Sequence, residues 1–415
     1  MKYAISAVLA IFVAVAADQE RESTLRGLIR ETLRRDPEVL AAQKNYEAAR
    51  QRPTQQSSLP DPTVSLGYAS VGNPLPGAGL GSQVLSNVGV VASQEVPFPG
   101  KLKLQGEMAT KDAEEAFEQY QAVELDVIAR LKQAYHGLHH AYAMSEVVVR
   151  NRELLNRLLE VAEACYAVGK AAQQDLFKAQ TQISILETRL VKLEQERRSR
   201  EEEINTLAGR APGSPVEPPE DAEAPEFKVT LEELFAAARQ NSPLLRRDQK
   251  TIERSELAVN LARKEYYPDF TLNAGYFNMG SMPPMFEVRA DVKIPIYYWR
   301  KQRAGVNEQI SSLSQARRGY EVTSQALRLK ITDDYLAAQA SARLMKLYSQ
   351  TVVPQGGLAL ESSLAAYEAG TVDFLSVLTN MTTVLDYEMN YHEEELNYLQ
   401  ALTRLEELTG KTLTN

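Results

Sequence analysis

The sequence predicts an α+β membrane protein in which long coiled-coil helices accompany short amphipathic β-hairpins, the whole written twice along one chain. Three observations carry that reading. Landmarks of the first half recur in the same order in the second, apolar residues return at every seventh position over long stretches, and one short segment alternates apolar and charged residues without a break.

The duplication is sought first, because missing it would misassign the whole fold. Thr24-Leu25 leading to Asp36-Pro37 parallels Thr230-Leu231 leading to Ser242-Pro243, each a helix start followed by a proline-marked break. Leu59-Pro60-Asp61-Pro62-Thr63 parallels Tyr267-Pro268-Asp269-Phe270-Thr271, and Tyr166-Ala167-Val168-Gly169 parallels Tyr367-Glu368-Ala369-Gly370. Leu207-Ala208-Gly209-Arg210 answers Leu408-Thr409-Gly410-Lys411. The expected organisation is a repeat over 18–210 with a hairpin at 62–96, a second over 228–411 with a hairpin at 269–295, and a short tail, 412–415. The prolines between 211 and 227 forbid helix and predict an extended connector.

Helices dominate each copy. Leu176, Ile183, Leu190 and Ile204 share one seven-residue register, and Ala179, Leu186, Leu193 and Leu207 share another. Val377, Val384, Tyr391, Tyr398 and Leu405 repeat the interval in the second copy. A strict seven-residue seam drifts on a straight helix, so such helices supercoil around partners.

The clearest strand covers residues 286–294. Period two places Phe286, Val288, Ala290, Val292 and Ile294 on one face and Glu287, Arg289, Asp291 and Lys293 on the other. A transmembrane barrel strand has this pattern, with the first set toward lipid and the second toward a wet lumen; a soluble sheet with one solvated face has it too. Further strands are expected over 63–70, 88–96 and 269–277, with Gly- and Pro-rich loops between them. Four strands cannot close a bilayer-spanning barrel, and open edges are not tolerated in lipid. Insertion would therefore require an oligomer.

Composition narrows the setting. Met1-Lys2 precedes an apolar run over 3–17 that ends in small residues before Asp18, and it reads as a cleaved signal peptide, residues 1–17. Beyond it no apolar stretch reaches the roughly 18 residues of a spanning helix. Cys165 is the only cysteine, so no intrachain disulfide supports the fold. A net charge of −9 and a pI near 5.3 argue against nucleic acid as a partner.

With these features in place the chain resembles the TolC-type outer membrane efflux channel family over nearly all of its mature length. Gln94-Glu95-Val96-Pro97-Phe98-Pro99-Gly100-Lys101 is similar to the family's strand-to-helix turn, above all in its heavy-metal cation efflux branch, and Lys293-Ile294-Pro295-Ile296-Tyr297-Tyr298-Trp299-Arg300 holds the equivalent place. The resemblance implies a homotrimer whose chains give four strands each to one transmembrane β-barrel, continued by a periplasmic α-helical barrel. It implies an outer-membrane location, a periplasmic adaptor, an inner-membrane pump and outer-membrane lipid as partners, and passive export of metal cations or small toxic compounds. It further implies that Val168, Gly169, Lys170, Ala369, Gly370 and Thr371 are tips that dock the adaptor. Physically, the two glycines suit helix ends because they accept positive φ at little steric cost. Some members carry aspartates six and nine residues beyond the second tip glycine; here Ser376 and Thr379 stand there, and Asp175 and Asp373 are the substitute candidates for a charged ring.

No catalytic, cofactor or metal site is assigned. His136, His139 and His140 could present two imidazoles to a metal from one helix face, and Met279, Met282 and Met285 could offer thioethers, but a polar helix face and an ordinary loop explain them as well. No phosphate-binding glycine loop or nucleophile elbow is found. Three alternatives to the efflux channel stay open: a channel for type I protein secretion, a non-channel periplasmic coiled-coil adaptor, and a structural coiled-coil protein without a pore. The adaptor would carry one helical hairpin rather than two, and a plain coiled coil leaves the alternation at 286–294 without a purpose.

Overall fold

The computed structural model describes residues 25–72, 74–169, 171–219 and 225–413. The signal-peptide segment and the tip residue Lys170 lie outside the described residues. The chain divides into two units. One comprises the described parts of Met1–Ala42, Tyr120–Pro243 and Gln325–Asn415, the other Gln43–Gln119 and Leu244–Ser324.

The first unit is helical. It contains α1 (Leu25–Arg35), the beginning of α2 (Pro37–Ala49), most of α4 (Lys101–Ala167), α5 (Gln173–Leu207) and α6 (Leu231–Asn241). The end of α8 (Lys301–Leu347), α9 (Val353–Glu368) and α10 (Phe374–Thr409) complete it. Helix α5 alone has 35 residues and is about 52 Å long at 1.5 Å per residue. It begins at Gln173, after Ala171 and Ala172, which lie outside the helix. Heptad residues contribute to the core: Ala179, Leu186, Val377 and Val384 join Val148, Leu155, Phe374 and Leu385 in one buried cluster. Thr230 caps α6, accepting from Glu233 N at 3.3 Å while the Glu233 carboxylate accepts from Thr230 N at 3.2 Å. The described end of the connector packs on α8 and α10, with the Phe227 ring tilted against Tyr335 at 5.2 Å and Pro225 O accepting from the Tyr398 hydroxyl.

Two features of this unit depart from the sequence reading. His136 and His140 do not form a polar face; they are buried, at 9% and 7% exposure. Lys132, His136 and His140 share the four-residue step that continues through Met144 and Val148, with Asn151 three residues on, as the inward stripe of α4, so position on the helix outweighs polarity. His140 Nε2 lies 3.4 Å from the Glu393 carboxylate, and Lys132 pairs with Glu406 at 2.5 Å. Burial, with Lys132 and His139 nearby, pushes the His136 pKa down to about 4. The second departure is a π-helical turn, Tyr348–Val352, that separates α8 from α9. Pro354 follows after Val353; it lacks an N–H and crowds the carbonyl four residues back, inside the turn, and the wider turn accommodates both defects.

The second unit carries the sheet, with strands β1 (Thr63–Ala69), β2 (Asn87–Val96), β3 (Asp269–Asn278) and β4 (Met285–Lys293) antiparallel in the order β1-β2-β3-β4. Alongside are the end of α2, the short α3 (Arg52–Ser57), the start of α4, α7 (Pro243–Lys264) and the start of α8. Helices α4 and α7 are tied by ion pairs, among them Arg254 to Asp112 at 2.6 Å and Lys111 to Glu253 at 3.0 Å. The hairpin loops meet at their tips, where Gly81 N donates to Met279 O at 3.0 Å and Ser281 Oγ to Gly81 O at 2.9 Å.

Candidate functional site

Strand register decides what each face of the sheet presents. Val288 stands opposite Ala274, Ala274 opposite Ala92, and Ala92 opposite Val64, so these four share a face. By alternation that face also holds Leu66, Tyr68, Val88, Val90, Val96, Phe270, Leu272, Tyr276, Phe286 and Val292, with Gln94 and Asn278 its polar members. It is uncovered: Phe286 is 74% exposed and Val288 90%, with Val292 and Ile294 also exposed. An apolar surface of this width on a folded chain marks a partner or a lipid phase.

The opposite face is polar and internally bonded. Ser93 Oγ donates to Asn273 Oδ1 at 2.5 Å, Asn273 Nδ2 to Asp291 Oδ2 at 2.8 Å, and Arg289 pairs with Asp291 at 2.9 Å and Glu287 at 3.2 Å. Lys293 stands opposite Asp269. The ladder runs across three strands and so unites Glu287, Arg289 and Asp291 with Ser93 and Asn273, two residues the sequence reading passed over although both sit at the alternate positions of their strands. Val91, Phe277 and Met285 are the larger apolar members of this face, and Phe277 is the largest of them. Its ring lies over Gly89 and Gly275, where an added Cβ would come within 2.2 Å and 2.8 Å of ring carbons.

Strand-to-helix turns occupy one end of the sheet. Pro97-Phe98-Pro99-Gly100 ends on Lys101, which is almost fully buried and reaches both oxygens of Asp269 at 2.9 and 3.0 Å and Glu265 at 3.2 Å. Asp269 also accepts from Phe98 N at 2.8 Å, and the Phe98 ring stacks on Tyr267 at 4.5 Å. The two proline-bearing motifs noted in the sequence thus grip each other, a contact that their separation in the chain had hidden. A cleft of about 380 Å³ opens beside them, lined in part by Lys101, Asp269, Lys293, Tyr297 and Lys301.

In the helical unit, the landmark glycines end α4 and α9 with φ of +73° at Gly169 and +76° at Gly370, and a Cβ at either would meet nothing within 4 Å. The left-handed backbone alone therefore calls for glycine. Gly169 N bonds Tyr166 O and Gly370 N bonds Tyr367 O, both at 2.9 Å, and Thr371 N closes the second turn on Ala366 O at 2.9 Å. Val168, Ala369, Gly370 and Thr371 are exposed. Asp373 is the N-cap of α10, accepting from Ser376 N at 3.1 Å, and the Ser376 hydroxyl and N–H hold its carboxyl below the usual range. Asp175 sits in the first turn of α5 and accepts from Ala172 N at 3.4 Å. Among the described residues no group of three or more His, Cys, Asp or Glu side chains is placed to hold a metal ion, and no helix is long and apolar enough to cross a membrane.

A four-stranded amphipathic sheet with two unpaired edges, joined to helical hairpins, defines a class of outer-membrane channel subunit. The family model of the outer membrane efflux proteins matches residues 28–210 and again 234–411, and the chain belongs to that family. It is 25% identical to the outer membrane protein TolC of Vibrio cholerae, with 90% of this chain and 88% of that one covered. It is 22% identical to the cobalt-zinc-cadmium resistance protein CzcC of Cupriavidus metallidurans, over 69% of this chain and 68% of that one. Among solved structures, the outer membrane protein VceC of Vibrio cholerae superposes with a TM-score of 0.79 at 19% identity, covering 94% of this chain and 97% of VceC. The protein is thus an outer-membrane efflux channel component with a periplasmic helical portion.

Proposed function

We propose that three copies of this chain form one passive conduit, each giving four strands to a transmembrane barrel, and that it exports metal cations or small toxic compounds drawn from an inner-membrane pump through a periplasmic adaptor. The observation that carries this reading is the sheet itself. One face is predominantly apolar and exposed, the other carries a bonded polar ladder, and both β1 and β4 leave an edge that lipid would not tolerate unpaired. Phe286, Val288, Val292 and Ile294 then face lipid, and Glu287, Arg289, Asp291 and Lys293 line the lumen. An exposed apolar stripe on α8, with Val322, Leu329 and Leu336 at seven-residue intervals, supports helix packing against another copy.

The proposed subunit is a duplicated unit, 18–210 and 228–411, joined by the connector at 211–227. In its favour, the capping glycines Gly209 and Gly410 both have φ of +63° and lie close to Arg35 and Asn241, residues at matching places in the two halves. The tips around Gly169 and Gly370 are the proposed adaptor contacts, and Asp175 and Asp373, each at the start of a returning helix, the proposed charged rings. Likeness to CzcC and the Pro97-Phe98-Pro99-Gly100-Lys101 turn favour metal cations as cargo. Deleting the gene should sensitise the cell to cobalt, zinc or cadmium, with resistance restored by the wild-type gene. Sensitivity to organic toxins alone would move the cargo to that class, and loss of a secreted protein with neither sensitivity would overturn the efflux reading.

A further inference from the structure

We infer that the latch made by Lys101 and Asp269 within one chain is repeated between chains, with Lys301 of one copy gripping Asp61 of the next and β4 pairing with the next copy's β1 in one specific register. The inference rests on the oligomeric reading above and deepens it by naming the contact that closes the ring.

The register follows from the two hairpins. Thr63 stands opposite Ser93 in the first, and Thr271 opposite Asp291 in the second. The shared Pro-Asp steps, Pro60-Asp61 and Pro268-Asp269, make Thr63 the counterpart of Thr271, so Ser93 is the counterpart of Asp291. Four residues further on, Pro97 then matches Pro295, in agreement with the two turns read independently from the sequence. Within the chain, β2 meets β3 with Val96 opposite Phe270, Gln94 opposite Leu272 and Ala92 opposite Ala274. Transposed by the same correspondence, β4 meets the next copy's β1 with Ile294 opposite Pro62, Val292 opposite Val64, Ala290 opposite Leu66 and Val288 opposite Tyr68. Every apolar side chain then stays on the apolar face, which a one-residue slip would reverse.

Charge and apolar contacts complete the match. Lys101 opens α4 and Lys301 opens α8, each directly after its turn. Asp61 and Lys301 are both exposed, and neither makes an ion pair among the described residues. Lys301 does line the cleft beside Asp269 and Glu265, but Lys101 already engages both carboxylates. The Phe98 and Tyr267 stack corresponds to Ile296 and Leu59, which are 57% and 54% exposed in the single chain and would cover each other across the joint. One difference is built in. The second turn is two residues longer, and Ile296 N bonds Ile294 O at 2.9 Å where Phe98 N bonds a carboxylate.

The test uses the full-length protein in outer membranes, with Cys165→Ser as background. Cysteines at Val64→Cys and Val292→Cys, bridged by oxidant or a short bis-maleimide, should give a covalent ladder ending at three chains. The slipped pair Tyr68→Cys and Val292→Cys, about 13 Å apart along the strand in this register, should give none. Asp61→Lys and Lys301→Asp should each lower the temperature at which the detergent-extracted oligomer separates, and the double exchange should recover most of the loss. A ladder from the slipped pair only, or a double exchange no better than the singles, in a protein that remains trimeric, overturns this register and latch. A wild-type protein that is a single chain in detergent overturns the oligomeric reading itself.

Discussion

Placing an arginine at Val288 separates a lipid-facing sheet from a solvated one. Val288 is 90% exposed, lies inside β4 and stands opposite Ala274 on the apolar face. If that face meets water, the change removes almost no buried area and should stay within about 0.5 kcal/mol, as at other exposed surface positions. If it meets hydrocarbon, an arginine costs about 2–4 kcal/mol near the bilayer midplane, hence roughly 6–12 kcal/mol over three chains. Urea titration of the protein folded into lipid vesicles reads the difference, with Ser65→Arg, on the polar face of β1, as the control. We expect Val288→Arg to destabilise by at least the single-chain amount while Ser65→Arg stays near the wild type. Equal stability of the Val288→Arg and wild-type proteins would refute the assignment of this face to lipid.

Gly370→Val forces a β-branched residue to φ near +76°, which should strain the turn by about 1–2 kcal/mol. Resistance in a complementation assay should be lost while the trimer persists; normal resistance would count against docking at this tip. Asp373→Asn keeps an effective N-cap and removes only the charge, so a change in cation selectivity in single-channel recordings, with unaltered thermal stability, is expected if it belongs to the pore. For His136, whose native pKa of about 4 lies below the unfolded value of 6.5, the unfolded chain binds the proton first. Its contribution is therefore complete above pH 6.5 and is lost as pH falls toward 4, amounting to roughly 3 kcal/mol in all. His136→Gln should flatten that part of the stability profile, as followed by denaturant titration at several pH values. Breaking the buried Lys132 and Glu406 pair with Lys132→Met removes the lysine charge from a buried carboxylate and should destabilise by about 3–5 kcal/mol, measured the same way.

Much of this was legible in the sequence because two periodicities speak plainly. Period two at 286–294 set both the strand and its faces, and the seven-residue steps through Ala179 and Leu186 or Val377 and Val384 named core positions. The tip and cap glycines were legible because a left-handed backbone leaves few other choices. What stayed hidden depended on distance along the chain. The contact of Lys101 with Asp269 joins residues 168 positions apart, and the Ser93 to Asn273 bond joins residues 180 apart. No local spacing announces either. His136 and His140 were misread for another reason: their chemistry drew attention from the inward stripe of α4 on which they sit. The π-helical turn escaped because Pro354 was not weighed as a helix breaker within the second copy.

The central claim is that this chain works as a trimeric outer-membrane conduit. Native mass spectrometry of the protein extracted from purified outer membranes with detergent tests it most directly. Three copies per particle, with nothing released by osmotic shock, is the predicted result; a single-chain species recovered in the osmotic-shock fluid would contradict it.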